Sequence, residues 1–477
     1  MTKAQDWSVP IAGEQFESGS WIEVRSPFDD SVLGRVPECG PQDVTRAVAS
    51  ARNALANGPL SQYQRAAILD RAAALLVDRV EEFAQLIAGE AAKPIKTARV
   101  EAQRAISTFT FSAVAARTLA GDVVPMDASA AGVGKLAFTL RVPIGIVGGI
   151  SPFNFPLNLV AHKIAPAIAA GCSMVLKPAS QTPMSAIALA RLLLDECELP
   201  PDQLHVVTGG GGTVGNALVD DEHIAMITFT GSPEVGWSIK ARAPRKKVGL
   251  ELGNNAPLLI EPSGDVETAA QKVSVAGFSH AGQSCISTQR IYVHESVHDR
   301  FLDALVPLVE GLVVGDPLDE KTDVSALISK KERDRVASWV EEAEASGAAV
   351  VAGGKVREDG VLVPTVLDNV TPDMKVCSQE VFGPVVGVAS YSDLDDALRL
   401  ANDTRYGLQA AIFTTDLSDA LRAAQTLDYG GVLVNEVPTF RADQQPYGGV
   451  RDSGNTREGP HYTVREMTEE RLVIIST

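Results

Sequence analysis

The sequence predicts an α/β protein built on parallel, doubly wound sheets. Three observations carry that reading. From Pro143 onward, short apolar runs alternate with helical stretches, the pattern of strand–helix–strand units. Runs such as IGIVGGI and IAMITFTG are almost continuously apolar, which marks strands covered on both faces. At 477 residues the chain is too long for one core, so two or three domains are expected.

The opening segment SGSWIEVRSPFDDSVLGRVPECG reads as short strands broken by Gly, Pro and Asp turns. Helices are expected over 43–57, 61–90 and 97–118. The second carries Leu69, Ala72, Leu75, Leu76, Val80 and Phe83 at helical spacing, and the third Val100, Ile106 and Phe109. Strands are then expected at 144–150, 173–178, 204–209 and 224–231. Helices at 157–170, 184–198 and 232–242 separate or follow them. A second α/β stretch, 251–440, offers strands at 256–261, 289–294, 348–354, 385–391 and 431–436, with helices near 266–279, 296–312 and 394–402. Segments 119–142 and 462–477 fit neither half. Extended pieces of this kind pair at an edge or between subunits, so they read as an oligomerisation arm.

Composition narrows the function. Apolar residues make up 45% and charged residues 21%, an ordinary soluble balance. No apolar run reaches the roughly 18 to 20 residues of a membrane span. The start, MTKAQDWSVPIAGE, has no basic region followed by an apolar core, so a cytoplasmic location is expected. A net charge of -18 argues against nucleic-acid and membrane partners, because such a surface repels phosphate. The cysteines Cys39, Cys172, Cys197, Cys285 and Cys377 form no CxxC pair, and the seven histidines form no HExxH pair. Neither a disulfide framework nor a metal site is expected.

A few residues sit where chemistry is possible. Cys285, in SHAGQSCIS, lies in a short Gly-containing stretch before the strand QRIYVH. Thiolate is a strong nucleophile, and loops at element ends can expose one. Glu251 ends the apolar run of KVGLELGNNAP. Burial there raises a carboxyl towards the working range of a general base. Asn154, in ISPFNFPLN, follows a buried strand, where an amide can donate to a developing oxyanion. FTGSPEVG places Gly231 at a strand–helix turn suited to phosphate, although it is not GxGxxG. VLKPAS puts Lys177 and Ser180 at another strand end. SQEVFGP offers Glu380 to ribose hydroxyls and Phe382 as a packing face. Read singly, each has a bland alternative: a buried thiol, a strand-end salt bridge, a turn asparagine.

Taken together, PFNFP, VLKPAS, FTGSPEVG, LELG, GQSC and EVFGP, in that order, resemble the aldehyde dehydrogenase superfamily over essentially the full length. The resemblance implies a Rossmann-like cofactor domain (1–118 and 143–250), a catalytic domain (251–440) and a small β oligomerisation arm (119–142 and 462–477) in a homodimer or homotetramer. It implies that Cys285 attacks a small-molecule aldehyde and that Asn154 and the Cys285 backbone N–H hold the oxyanion. Hydride then leaves, and Glu251 activates water against the thioester. Ser151, Pro152, Phe153, Lys177, Ser180, Gly231, Ser232, Leu252, Glu380 and Phe382 are the implied NAD(P) contacts, and no metal is implied. Relatives that acylate coenzyme A typically lack the matching Glu, so hydrolysis is favoured. Coenzyme A acylation and a non-catalytic homologue are the alternatives.

Two departures stand out. Asn254 replaces a usual Gly beside the base. Ser180 replaces a Glu that many NAD-preferring relatives use on the ribose. Ser does not repel a 2′-phosphate, so NADP is expected to be accepted, with preference for it open. The stretch NEVPTFRADQQPYGGVRDSG resembles a branch acting on lactaldehyde, phosphonoacetaldehyde and similar short aldehydes. Arg104 and Arg441, by resemblance near the substrate entrance, suit a carboxylate or phosphonate. The expected substrate is a short aldehyde with a distal anion, and a neutral hydroxyaldehyde is the rival.

Overall fold

The computed structural model describes residues 5–476. Its centre is a five-stranded, wholly parallel sheet of β1 (Ile146–Ile150), β2 (Ser173–Lys177), β3 (Leu204–Val206), β4 (Ile224–Thr230) and β5 (Lys247–Glu251), in the order β3-β2-β1-β4-β5. β1 and β2 are buried at every position, as the two-faced apolar runs require. The strand order reverses between β1 and β4. A crevice opens at such a point, outside the carboxyl ends of the strands. The helix Asn158–Ala170, buried throughout, packs on this sheet beside Ile95–Thr118.

A second sheet holds β6 (Pro257–Ile260), β7 (Arg290–His294), β8 (Ala349–Ala352), β9 (Thr365–Asp368), β10 (Val385–Tyr391), β11 (Gln409–Phe413) and β12 (Gly431–Val434). Its order is β8-β9-β10-β7-β6-β11-β12, parallel except for β8. Each sheet has its own apolar core; the first also takes in Val464 and Met467 near the C-terminus. The α/β fold with two parallel-sheet cores is thus the one the sequence predicts.

Several details differ from the sequence reading. The expected helix 61–90 is two helices, Gln62–Asp78 and Val80–Ala91, broken at Arg79 (φ -114°) with neither Gly nor Pro to mark the break. The start was marked: Ser61 and Gln64 form a capping box. β9 and β11 and the helices Lys330–Ala345 and Leu417–Thr426 are additions. β9 has four residues and follows Pro364; β11 is QAAIF, poor in β-branched residues. Lys330–Ala345 buries only Val336, Val340 and Ala343, too thin an apolar stripe to read against its charges.

Lys135–Pro143 pairs antiparallel along its whole length with Thr468–Ser476, and Val123–Val124 joins its other edge. Leu136, Leu140, Leu472, Ile474 and Ile475 are exposed on this ribbon. Residues 462–466 belong to the helix Pro460–Glu466, which packs against Ile95–Thr118 and Asn158–Ala170. Among the described residues no helix is long and apolar enough to cross a membrane.

Candidate active site

Cys285 lies in the loop between the turn Ser279–Gly282 and β7. The backbone is left-handed at His280 (φ 50°), Ala281 (φ 54°) and Gly282 (φ 69°). A Cβ on residue 282 would sit 2.0 Å from the Gly383 carbonyl oxygen, so only glycine fits this turn. Gln283 fixes the loop further, since its Oε1 accepts from the Ile328 N–H at 2.9 Å. Cys39, Cys172, Cys197 and Cys377 are buried, whereas Cys285 is only partly covered. Its sulfur lies 2.8 Å from the Tyr447 hydroxyl oxygen.

Asn154 follows β1 and is buried. Its Nδ2 donates to the Gln283 carbonyl at 2.9 Å, which ties the amide to the loop bearing Cys285. Glu251 ends β5 across the switch point. Neither of its carboxylate oxygens has a hydrogen-bond partner among the described residues. Burial pushes the Glu251 carboxyl well above the usual range, and the neighbouring Glu458 pushes the same way. A Cβ at position 448 would come within 2.8 Å of Glu251 Oε1, so the glycine there gives the carboxylate its room.

A cleft of about 560 Å³ brings these three groups together, lined by Asn154, Glu251 and Cys285 with Pro152, Phe153, Gly231, Ser232, Leu252, Glu380 and Phe382. Phe153 and Phe382 meet edge to face, their ring centres 5.8 Å apart. Ser232 caps the helix Pro233–Arg242, which begins at the cleft. Glu380 accepts from the Asn254 N–H at 2.9 Å, and burial pushes its carboxyl up to about 7. The Asn254 side chain donates to the Gln409 carbonyl on β11 at 3.3 Å, so its amide is engaged by the second sheet.

Three of the expected contacts stand beside the cleft rather than in its lining. The Ser151 N–H donates to the Lys177 carbonyl at 3.2 Å. Lys177 is buried, and its ammonium donates to the Pro178 carbonyl at 3.0 Å. Burial brings it down to about 8, and an anion placed beside it would favour the charged form again. The Ser180 hydroxyl donates to the Gly209 carbonyl at 3.0 Å. The crevice at the switch point, the aromatic edge and the buried lysine fit a dinucleotide.

Arg104 and Arg441 also lie outside the lining, and each already holds a carboxylate. Arg104 reaches Asp443 at 2.8 Å and Arg441 reaches Glu458 at 2.5 Å. His162 links the pairs, 3.1 Å from Asp443 and 3.3 Å from Arg441. Free guanidinium charge at the entrance was the expectation; two internal ion pairs are what the fold supplies. A donor remains, because Arg441 Nε is buried without a partner among the described residues.

The sequence reading did not single out Tyr447, Glu458 or Lys163. Burial alone would raise Glu458, yet Arg441, with His162 and Lys163, holds it well below the usual carboxylate range. Lys163 donates to the Thr230 hydroxyl at 2.7 Å. The signal available was PYGG, an aromatic residue with glycines inside a motif already noticed.

Comparison with known proteins places this geometry. The model of the aldehyde dehydrogenase family matches residues 14–473. A 3-sulfolactaldehyde dehydrogenase from Priestia aryabhattai is 44% identical over 476 residues, covering 100% of this chain and 99% of that protein. A lactaldehyde dehydrogenase from Methanococcus aeolicus is 38% identical over 473 residues, covering 97% and 100%. Aldehyde dehydrogenase 21 from Physcomitrella patens, solved with the reaction product succinate, superposes with a TM-score of 0.96 at 38% identity, covering 100% and 99%. Glyceraldehyde-3-phosphate dehydrogenase from Methanocaldococcus jannaschii, solved with NADP, gives 0.91 at 39% identity, covering 96% and 99%. A cysteine, a carboxylate and an amide meet at the switch point of a fold shared over nearly every residue, and the chain belongs to the aldehyde dehydrogenase family.

Proposed function

We propose that this enzyme oxidises a short aldehyde bearing a distal anion to the free acid, with Cys285 as nucleophile, Asn154 as oxyanion donor and Glu251 as general base. The family oxidises aldehydes with NAD(P)+, and the convergence of these three side chains on one cleft carries the assignment of roles. Cys285 adds to the aldehyde carbon to give a thiohemiacetal. One Asn154 N–H is held by Gln283, which leaves the second to meet the oxyanion. A dinucleotide held in the crevice would supply the acceptor for the hydride lost from that carbon. Phe153, Lys177, Ser180, Gly231, Ser232, Leu252, Glu380 and Phe382 would hold it, with Ser151 and Pro152 shaping the turn. Glu251 then takes a proton from water that attacks the thioester, and a carboxyl raised by burial is a stronger base for that role than an ordinary one.

Two sources support the anionic substrate: the relatives acting on 3-sulfolactaldehyde and yielding succinate, and the spare donor of the Arg104–Arg441 network. Arg104 is the better probe. Removing Arg441 strands a buried Glu458, whereas Asp443 keeps Asn158 and His162 when Arg104 is cut. Arg104→Ala is expected to raise KM for an anionic aldehyde about tenfold or more and to leave KM for a neutral one unchanged. Equal effects on both, in a panel of aldehydes followed by NAD(P)H absorbance, would remove the anion from the account.

NADP is proposed as an accepted and preferred cofactor, since position 180 carries no carboxylate. Ser180→Glu should lower kcat/KM for NADP about tenfold and leave NAD less affected. A wild-type preference far on the NAD side would count against this. The exposed apolar ribbon of Lys135–Pro143 and Thr468–Ser476 is proposed to pair subunits as a dimer or dimer of dimers.

A further inference from the structure

We propose that the Tyr447 hydroxyl is a catalytic group in its own right: it donates to the Cys285 sulfur and, backed by Arg441, stabilises the thiolate when the nucleophile gives up its proton. This rests on Cys285 being the nucleophile. Tyr447 is buried, and its Oη lies 2.8 Å from Sγ, close for any contact to sulfur. A tyrosine O–H is the better donor of the pair, and thiolate is the better acceptor.

The ring is not free to turn away. The Arg441 guanidinium stands over its face, 3.8 Å from the ring centre. Glu458 holds Arg441, and the backbones of Tyr447 and Glu458 bond each other in both directions. Tyrosine, arginine and glutamate thus form one locked unit behind the sulfur. A cation over the ring draws electron density from the phenol and strengthens its O–H as a donor.

The charges around the sulfur show why such a donor is needed. Glu251 from β5 and Glu380 from the loop before β10 both oppose a thiolate, while Tyr447 and Arg441 favour it. Burial is the largest effect and pushes the thiol up to about 12. The Tyr447 hydrogen bond is the strongest opposing influence. A phenylalanine at position 447 would fill the same space and stack the same arginine, but it could not donate.

The test is the reaction of the enzyme with iodoacetamide, mapped to Cys285 by mass spectrometry from about pH 6 to about pH 10. Tyr447→Phe should react about tenfold more slowly at neutral pH, its rate curve moved about one unit towards higher pH. Thiolate absorbance, taken as the difference from Cys285→Ala, should move by the same amount; a packing defect would not move it. Arg441→Lys keeps the charge facing Glu458 and removes the planar stack, so its curve should move the same way. Unchanged curves in variants with native thermal transitions would overturn the proposal. Faster alkylation of Tyr447→Phe would also overturn it, since the thiol would then be the donor. If instead Cys285→Ala retained turnover, the nucleophile assignment would fall while the titration curves stayed readable.

Discussion

Cys285→Ala is expected to lose turnover by about four orders of magnitude or more, with binding of dinucleotide retained. The groups beside the sulfur are poor replacements for it: the Asn154 amide, the Glu251 carboxylate and the Tyr447 hydroxyl, a phenol that burial keeps protonated. Cys39, Cys172, Cys197 and Cys377 lie buried in the cores, away from the cleft that Cys285 lines, so no aldehyde can reach their sulfurs. Replacing any of these four by Ala should leave kcat within about twofold, the loss being in packing. Steady-state kinetics on the five variants, with thermal melts, separates the two outcomes. Retained turnover in Cys285→Ala would end the thioester account.

Glu251→Gln is expected to separate the two halves of the reaction. Addition of Cys285 to the aldehyde and loss of hydride to leave the thioester do not need this carboxylate, so a first burst of NAD(P)H should remain. Hydrolysis needs a base, so steady turnover should fall by about two to four orders of magnitude. The pH dependence follows the same logic. Glu251 is held above the usual carboxylate range by burial and by Glu458, so it is protonated and idle at acid pH and becomes a base as pH rises through its raised value. Wild-type hydrolysis should therefore climb with pH, and the Gln variant should lose that limb. Glu458 cannot take over, because Arg441 keeps its ionised oxygen engaged at 2.5 Å.

Much of this was legible before the structure. Strands covered on both faces must be apolar throughout, and β1, β2 and β6 were readable for that reason. The helix break at Arg79 was not, since the apolar spacing runs straight through it. Glu251, Asn154 and Cys285 were legible because each sits at an element end inside a motif. Their surroundings were not. Tyr447 is 162 positions from Cys285, and Asp443 is 339 from Arg104. Spacing along a chain carries no information about such pairs, which exist only after both sheets have folded. Arg104 and Arg441 show the consequence: the residue type suited an anion, and the fold had already given each one.

The most direct test of the central claim is intact-peptide mass spectrometry of Glu251→Gln, quenched in acid after mixing with aldehyde and NADP. The acyl mass should accumulate on the peptide bearing Cys285, in step with the NADPH burst. An NADPH burst with no acyl group on Cys285, or with the acyl group on another residue, would contradict that claim.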